Sequence, residues 1–234
     1  MEKKALAVIT ARGGSKRIPR KNIKDFCGKP IIAYSIKAAI ESNVFSEVMV
    51  STDDMEIADI ARKYGAVVPF MRSEKTSGDY ATTADVLLEV LEKYGKNGDF
   101  FDYMCCIYPT APFITANKLV AAMDILKSTN SLEVMPVVKF SYPPQRCFII
   151  DENGKMEYKY KEFINSRSQD LEKQYHDAGQ FYIYNVKKYL ELNGNISGDI
   201  MPIIVNEMEV QDIDNDEDWK LAELKYNMMN LKNK

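Results

Sequence analysis

Several cations stand close together in the sequence, directly after a short apolar run. The run, residues 5–9, has the length and composition of a buried strand in a parallel sheet. The pair Gly13-Gly14 follows it, and small residues at a turn let a ligand come close to the main chain. Such a loop, at the carboxyl end of a strand, suits a polyphosphate. The cations are Arg12, Lys16, Arg17, Arg20 and Lys21.

A solvated basic turn after a core strand is the simpler alternative for this loop. The loop matches neither the G-x-x-x-x-G-K-[ST] pattern nor the G-x-G-x-x-G pattern. The sequence therefore gives no support for a P-loop ATPase or for a dinucleotide-binding protein.

Two carboxylates near the carboxyl end form a second candidate group. Asp212 and Asp214 stand two residues apart in the run VQDIDNDEDW, so on an extended strand both face the same side. Two carboxylates that meet a nucleotide triphosphate are the usual arrangement for Mg²⁺, with Mn²⁺ as a substitute. The acids that follow, Asp216, Glu217 and Asp218, are better explained as stabilising the first turn of a helix.

Composition limits the class of protein. The chain has 234 residues and a net charge of −3, which indicates one domain without the basic field of a nucleic-acid-binding protein. The four cysteines form no C-x-x-C pair, which favours reduced thiols and a cytoplasmic location. The apolar stretch near the amino terminus is too short for a signal peptide or a membrane span.

The order of predicted elements indicates an α/β fold. Short apolar runs at 5–9, 48–50, 67–68 and 104–107 alternate with amphipathic helical patterns. The first helix follows Pro30 and is expected to turn Ile32, Ile36 and Ile40 inward. Alternation of this kind predicts a three-layer, mostly parallel sheet with helices on both faces, for residues 1 to about 139.

The pattern changes after residue 139. Residues 140–175 contain short alternating runs, exposed aromatic residues and a turn at 151–154, and they predict a hairpin-bearing insertion. This insertion is either a surface excursion or a dimerisation element within one domain of residues 1–234. The sheet resumes at 181–184 and 202–205, and a last helix begins near Asn215.

The run ARGGSKRIPRKNI, residues 11–23, resembles the signature loop of cytidylyltransferases that activate nine-carbon acidic sugars, the sialic acid synthetase group. The resemblance implies a Rossmann-like fold of the nucleotide-diphospho-sugar transferase type. It also implies that Arg12, Lys21 and Asp214 are catalytic and that Asp212 and Asp214 hold the metal. The nucleotide-binding residues that it implies are Ala11, Arg12, Gly13, Gly14, Ser15, Lys16, Asn22, Arg72, Ala81 and Thr83. Without the resemblance, Arg72 would be a surface arginine and Thr83 a helix cap.

Two further runs resemble the sugar-binding segments of that family. YPTAPF resembles the Q-P-T-S-P segment of the sialic acid enzymes, with Tyr108 in place of their glutamine, which argues against N-acetylneuraminic acid as the acceptor. NSRSQDLEKQYHDAGQF resembles a pattern of the pseudaminic acid cytidylyltransferases. Arg146 and Arg167 are then candidate partners of the sugar carboxylate and Gln180 of an N-acyl group. Tyr108, Thr110 and His176 complete the expected sugar site. The resemblance thus implies that the insertion, residues 140–175, is also a sugar-site element.

The resemblance implies that CTP and pseudaminic acid give CMP-pseudaminic acid and pyrophosphate. The alternative acceptors are N-acetylneuraminic, legionaminic and 3-deoxy-octulosonic acid. From a different class, a nucleotide-sensing module without turnover is the alternative, although a metal pair beside an intact loop argues against it. The expected partners are CTP, the acidic sugar and a second copy of the chain, with no nucleic acid and no membrane.

Overall fold

A seven-stranded mixed sheet forms the centre of the protein, and the computed structural model describes residues 3–231. The central strands β1 and β5 follow apolar runs of the sequence because a strand covered on both faces must be apolar throughout. The strands are β1 Ala5–Thr10, β2 Asp25–Phe26, β3 Lys29–Pro30, β4 Glu47–Ser51, β5 Tyr103–Ile107, β6 Glu133–Lys139, β7 Phe148–Ile150, β8 Met156–Tyr158, β9 Tyr175–Asp177, β10 Phe181–Asn185 and β11 Ile200–Ile204.

The sheet order is β11-β6-β10-β5-β1-β4, and β9 also pairs with β6. The pairs β1–β4, β1–β5 and β6–β11 are parallel, whereas β10 runs antiparallel to both of its neighbours. The β1 strand therefore lies inside the sheet, and the loop that follows it opens at the carboxyl edge of three parallel strands. This is the edge at which open α/β sheets bind ligands.

Helices cover both faces of the sheet, as the alternating pattern predicts. Residues of α1, α2 and α5 pack on one face, and residues of α4 and α6 pack on the other. The predicted three-layer, mostly parallel α/β fold is confirmed. The helices are α1 Ile32–Ser42, α2 Met55–Lys63, α3 Glu74–Ser77, α4 Thr83–Lys96, α5 Ala116–Thr129, α6 Val186–Glu191 and α7 Asp216–Leu231.

A smaller apolar cluster fixes the carboxyl-terminal helix. Trp219 and Ala222 of α7 pack against Phe26 and Tyr34, and the ring centroids of Phe26 and Trp219 are 5.6 Å apart. This packing brings the segment before α7, with its two aspartates, next to the loop after β1. None of the helices within residues 3–231 has both the length and the apolar composition needed to cross a membrane.

The insertion contains the predicted hairpin, in which β7 and β8 pair antiparallel apart from the main sheet. Other details differ from the predictions. Ile40 is 39% exposed, because it lies at the edge of the inward stripe of α1. Residues 67–68 form a single bridge, Met49 to Val67, instead of a third strand. Asp212 and Asp214, which the sequence suggests as neighbours on an extended strand, lie in an irregular segment without strand pairing.

Candidate active site

The loop of residues 11–22, here called the basic loop, is fixed by the turn between β4 and α2. The Gly13 N–H donates to the Asp53 carboxylate at 2.9 Å. A Cβ atom at Gly13 would lie 2.7 Å from Asp54 Oδ2, so only glycine fits there without displacing the turn. From inside the loop, the Asn22 side chain donates to the Arg12 carbonyl at 2.8 Å. Gly13 thus allows the loop to pack closely against the Asp54 side chain.

Part of the expected set of free backbone N–H groups is already used. Gly13 donates to Asp53, and the Ser15 N–H donates to the Gly13 carbonyl at 3.0 Å. The loop therefore offers its cations, more than a ring of free amides, to an anion.

Two of these cations share one carboxylate. Lys16 Nζ lies 2.5 Å from one oxygen of Asp79, and Arg12 Nη1 lies 3.1 Å from the other. Asp79 belongs to the exposed stretch between α3 and α4, so another part of the same chain neutralises the loop. Arg17 pairs with Asp214 at 2.7 Å, and Arg20 pairs with Asp54 at 2.5 Å.

Lys21 lies deeper than its neighbours. Its ammonium donates to the Ile213 carbonyl at 2.7 Å, which ties the basic loop to the segment before α7. Burial lowers the pKa of Lys21, and the nearby Asp214 and Asp212 oppose that shift. The structure therefore places the cation and both carboxylates in one electrostatic neighbourhood.

The two aspartates leave their segment on the side away from the core. Ile213 between them is 2% exposed and packs with the α7 cluster, whereas Asp212 is exposed and Asp214 is partly exposed. Within residues 3–231 no group of three or more His, Cys, Asp or Glu side chains is placed to hold a metal. Two carboxylates with phosphate oxygens and water suit Mg²⁺, so these residues fit a metal that is shared with a nucleotide.

A cleft of about 410 Å³ lies over the basic loop, here called the basic cleft. It brings together several residues that the sequence predicts as nucleotide-binding or catalytic. Its lining includes Arg12, Ser15, Lys16, Arg17, Lys21, Asn22, Tyr108 and Thr110.

Three other predicted nucleotide-binding residues, Arg72, Ala81 and Thr83, do not line this cleft. Arg72 is 9% exposed, and it donates to the Ser51 carbonyl at 2.6 Å and to the Ser51 hydroxyl at 3.1 Å. The interpretation as a surface arginine is therefore wrong, because Arg72 fixes the end of β4. Thr82, not Thr83, caps α4 through a capping box with Asp85. Thr83 is the first residue of α4, and Ala81 precedes the cap.

A second cavity, of about 660 Å³, adjoins the basic cleft and is here called the acceptor cavity. Tyr108 and Thr110 line both spaces and form the wall between them. The main chain of Tyr108 is held on both sides, since its N–H donates to the Gln180 carbonyl at 2.9 Å and its carbonyl accepts from Ser35 at 2.8 Å. Further lining residues include Lys139, Ser141, His176, Asp177, Tyr182, Glu207, Asp212 and Lys225.

Three predicted sugar contacts do not line this cavity. Arg146 and Arg167 lie on the insertion, where Arg167 pairs with Asp170 at 2.8 Å. Gln180 is 3% exposed and donates to the Glu209 carbonyl at 2.5 Å. Within the described part of the chain, its own side-chain oxygen is buried without a hydrogen-bond partner. Arg146 and Arg167 remain predicted partners of the sugar carboxylate. Gln180 instead stabilises the wall, because its carbonyl accepts the Tyr108 N–H.

Several residues at these spaces were not predicted from the sequence, and some of them carry charge. Asp79 pairs with the loop cations, Asp177 lines the acceptor cavity, and Lys139 and Lys225 supply its ammonium groups. Asp177 lies in the HDAGQF part of the run that resembles the pseudaminic acid enzymes. Its position in that run could have marked it as a candidate sugar contact. Lys225 gives no such signal, because it is one of two lysines on α7 and lies in no motif.

A third cavity, of about 790 Å³, is larger than the basic cleft and the acceptor cavity and lies elsewhere. Its lining includes Leu88, Phe100, Tyr103 and Leu190, at the edge of the sheet where β5 begins. It contains none of the predicted site residues, so volume does not identify the active site in this protein.

Comparison with known proteins agrees with this geometry. Residues 6–210 match the cytidylyltransferase family. A pseudaminic acid cytidylyltransferase of Campylobacter jejuni is 41% identical over 223 residues, which cover 95% of this chain and 96% of the relative. A CMP-N,N'-diacetyllegionaminic acid synthase of Legionella pneumophila is 37% identical over 225 residues, covering 93% of this chain and 94% of the relative.

A solved structure of a CMP:2-keto-3-deoxy-manno-octonic acid synthetase complexed with CTP has the same fold. The TM-score is 0.68 at 20% identity, and the likeness covers 97% of this chain and 99% of the other. The match to the family spans most of the chain, and the expected resemblance is confirmed. The protein belongs to the cytidylyltransferase family of nucleotidyltransferases.

Proposed function

We propose that the protein transfers CMP from CTP to the nine-carbon 2-keto sugar acid pseudaminic acid. The anomeric hydroxyl oxygen of the sugar forms a bond to the α-phosphorus of CTP. The bond from that phosphorus to the bridging oxygen of the β-phosphate breaks, pyrophosphate leaves, and the hydroxyl proton passes to solvent or to a nearby base. The products are CMP-pseudaminic acid and pyrophosphate.

The observation that carries this proposal is that the basic cleft and the acceptor cavity share one wall. The basic cleft presents Arg12, Lys16, Arg17 and Lys21 to an anion, and the acceptor cavity begins on the other side of Tyr108 and Thr110. A triphosphate in the first space and a sugar in the second would meet at this wall. Holding two reactants in such contact is a major part of catalysis.

Three cations of the basic loop have roles in this proposal. Arg12 and Lys16 would bind phosphate oxygens after releasing Asp79, because phosphate offers more negative charge than one carboxylate. Lys21 would stabilise the transferring phosphoryl group from its half-buried position, where its interaction with charge is less screened by water. Lys21→Ala should then lower turnover about 10²- to 10³-fold with little change in stability.

Asp212 and Asp214 would hold Mg²⁺. Both lie near Lys21, and Asp214 would have to exchange its ion pair with Arg17 for the metal. When bound, Mg²⁺ neutralises charge on the phosphate oxygens. Mn²⁺ is the proposed substitute, since oxygen-rich sites of this kind also bind it.

The choice of pseudaminic acid rests on the relatives and on Tyr108, which replaces the glutamine of the sialic acid enzymes and so argues against N-acetylneuraminic acid. The Campylobacter jejuni relative is named for pseudaminic acid and the Legionella pneumophila relative for a diacetyllegionaminic acid. Legionaminic acid is therefore the second candidate acceptor.

Pyrophosphate release from CTP, measured with a panel of sugar acids, tests the proposed function. The panel contains pseudaminic, legionaminic, N-acetylneuraminic and 3-deoxy-octulosonic acids. The proposal expects the highest kcat/KM with pseudaminic acid and a loss of release in Lys21→Ala. CTP binding without release for any member of the panel would instead support a nucleotide-sensing module.

We also propose that the protein is a cytoplasmic homodimer that associates through the insertion. The hairpin exposes Ile149, Ile150 and Met156, each more than half exposed. Apolar side chains grouped on a projecting hairpin suit burial against a second copy. Light scattering should give twice the monomer mass for the wild type and a smaller mass for Ile150→Asp. A monomeric wild type at micromolar concentration would contradict the dimer.

A further inference from the structure

Asp177 is a fixed carboxylate on the wall of the acceptor cavity. It is the last residue of β9 and lines the cavity beside His176 and Gly179. One carboxylate oxygen accepts the Gly179 N–H at 2.7 Å, and the other accepts the Tyr182 hydroxyl at 2.6 Å. Two short hydrogen bonds to opposite oxygens hold the group in one orientation.

The same carboxylate keeps unused acceptor capacity. An ionised carboxylate has about four lone-pair sites, and the two hydrogen bonds occupy one on each oxygen. Among residues 3–231, no cation lies within ion-pair distance of Asp177. The residue is exposed toward the cavity, so hydrogen-bond donors of a ligand can reach its oxygens.

Tyr182 connects Asp177 to the wall between the two spaces. Its hydroxyl donates to Asp177 at 2.6 Å, and the residue is 8% exposed. The Tyr182 ring meets the Tyr108 ring edge-on at 5.4 Å between centroids. The orientation of Asp177 is therefore set by a residue that packs against Tyr108, which also borders the basic cleft.

We propose that Asp177 is a specificity-determining residue of the acceptor site, where its carboxylate accepts hydrogen bonds from N–H and O–H donors of the sugar acid. This inference rests on the proposed function of the cavity as a sugar site. Tyr182 is its positioning residue. An acidic sugar must also keep its own carboxylate away from Asp177, because two like charges in contact are unfavourable. Asp177 thus selects for donor groups and fixes which end of the sugar faces the wall.

A structural role is the alternative, since an aspartate that accepts an N–H two residues ahead forms a common turn. Asp177→Asn separates the two roles, because asparagine can form the same turn but has one acceptor oxygen in place of two. Asp151→Asn is the matched control. Asp151 accepts backbone N–H groups of Asn153 and Lys155 in the hairpin turn and lies outside the acceptor cavity.

The experiment measures binding of pseudaminic acid by calorimetry, CTP binding, and kcat/KM for pseudaminic and N-acetylneuraminic acids. Loss of a charged hydrogen bond should weaken pseudaminic acid binding about 10- to 100-fold in Asp177→Asn and leave CTP binding within about twofold. The preference between the two sugars should fall as well. Tyr182→Phe should shift sugar binding in the same direction by a smaller factor, and Asp151→Asn should change neither.

Unchanged sugar binding and preference in a folded Asp177→Asn variant would overturn the inference. Equal losses for CTP and sugar would also overturn it, because they would indicate a general disturbance of the wall. Binding is measured apart from turnover, so the two proposals fail separately. A wild type that binds the sugar acid but releases no pyrophosphate would refute the reaction, and the Asp177→Asn binding comparison would still decide the role of Asp177.

Discussion

Lys16 Nζ lies 2.5 Å from the carboxylate of Asp79, which places an anion of the protein's own chain on a cation of the basic loop. The second oxygen of the same carboxylate pairs with Arg12 at 3.1 Å. Lys16 lowers the pKa of Asp79, so this group stays ionised over the physiological range. Any phosphate that binds the two cations must therefore displace Asp79.

Asp79→Asn should strengthen CTP binding, because it removes the competing negative charge but keeps the size of the side chain. All three groups are largely exposed and screened, so the expected gain is modest, roughly two- to fivefold in Kd. Calorimetric titration with CTP checks it. Asp59→Asn, which removes an exposed acid paired with Arg62 on α2, is the control and should leave Kd unchanged. Weaker CTP binding in Asp79→Asn would show that Asp79 assists the nucleotide.

Gly13→Ala should impair the reaction more than it impairs folding. The added methyl group would lie 2.7 Å from Asp54 Oδ2, so either the basic loop or the Asp54 side chain must shift. Asp54 also pairs with Arg20 of the basic loop, so either shift disturbs the loop. A displacement of this size costs on the order of 10²-fold in kcat/KM when it misplaces reacting groups. Pyrophosphate release and thermal unfolding measure the two effects.

Gly14→Ala is the matched control for Gly13→Ala in thermal unfolding, since a Cβ atom at Gly14 meets nothing within 4 Å. It should melt within about one degree of the wild type. A Gly13→Ala variant with unchanged kcat/KM would mean that the close approach to Asp54 is not needed for the loop geometry.

Much of the fold follows from local pattern. The strands β1, β4 and β5 lie at the short apolar runs that predict them. Residues 67–68 are apolar enough for a strand, but only Val67 meets a partner, through one bridge to Met49. Whether such a run becomes a strand depends on its neighbours in space, which periodicity does not record.

The site was predictable where it is continuous in sequence. The basic loop and the YPTAPF segment each lie on one stretch of chain, and the structure places both at the basic cleft. Asp79 and Lys16 are in contact although they are 63 residues apart in the sequence. Lys225, on α7, donates to the Val210 carbonyl. Contacts of this kind depend on the packing of separate elements, so local patterns in the sequence do not predict them.

Asp214→Asn tests the proposed metal site, because it keeps the shape of the side chain and removes one negative charge. Metal affinity should fall, and raised Mg²⁺ or added Mn²⁺ should recover part of the activity. A titration of pyrophosphate release against Mg²⁺ measures the shift. Asp216→Asn removes an exposed acid paired with Lys24 in the first turn of α7 and should leave the Mg²⁺ requirement unchanged. Equal Mg²⁺ curves for Asp214→Asn and the wild type would refute the metal assignment.

Glu133→Gln should make the protein more stable above neutral pH. Burial, with a contribution from Asp177, raises the pKa of Glu133 from 4.5 to about 7. Between these values the unfolded chain loses the proton first, so the free energy of unfolding falls as pH rises. The loss is at most about 3 kcal/mol for a shift of this size, and glutamine removes it.

Denaturant unfolding at pH 4 and pH 8 checks this prediction. The Glu133→Gln variant should match the wild type at pH 4 and exceed it at pH 8. Glu191→Gln, a change at an exposed position at the end of α6, is the control and should show no such difference. A wild type with equal stability at both pH values would contradict a raised pKa for Glu133.

Phosphorus NMR of the wild-type protein with CTP, Mg²⁺ and pseudaminic acid tests the central claim most directly. The proposed reaction predicts that the three phosphate signals of CTP are replaced by the signal of pyrophosphate and one phosphodiester signal, in a 1:1 molar ratio. Lys21→Ala should give the same signals at a rate lower by about 10²- to 10³-fold. Inorganic phosphate with CDP, or free CMP without a phosphodiester, would contradict the transfer of CMP to the sugar.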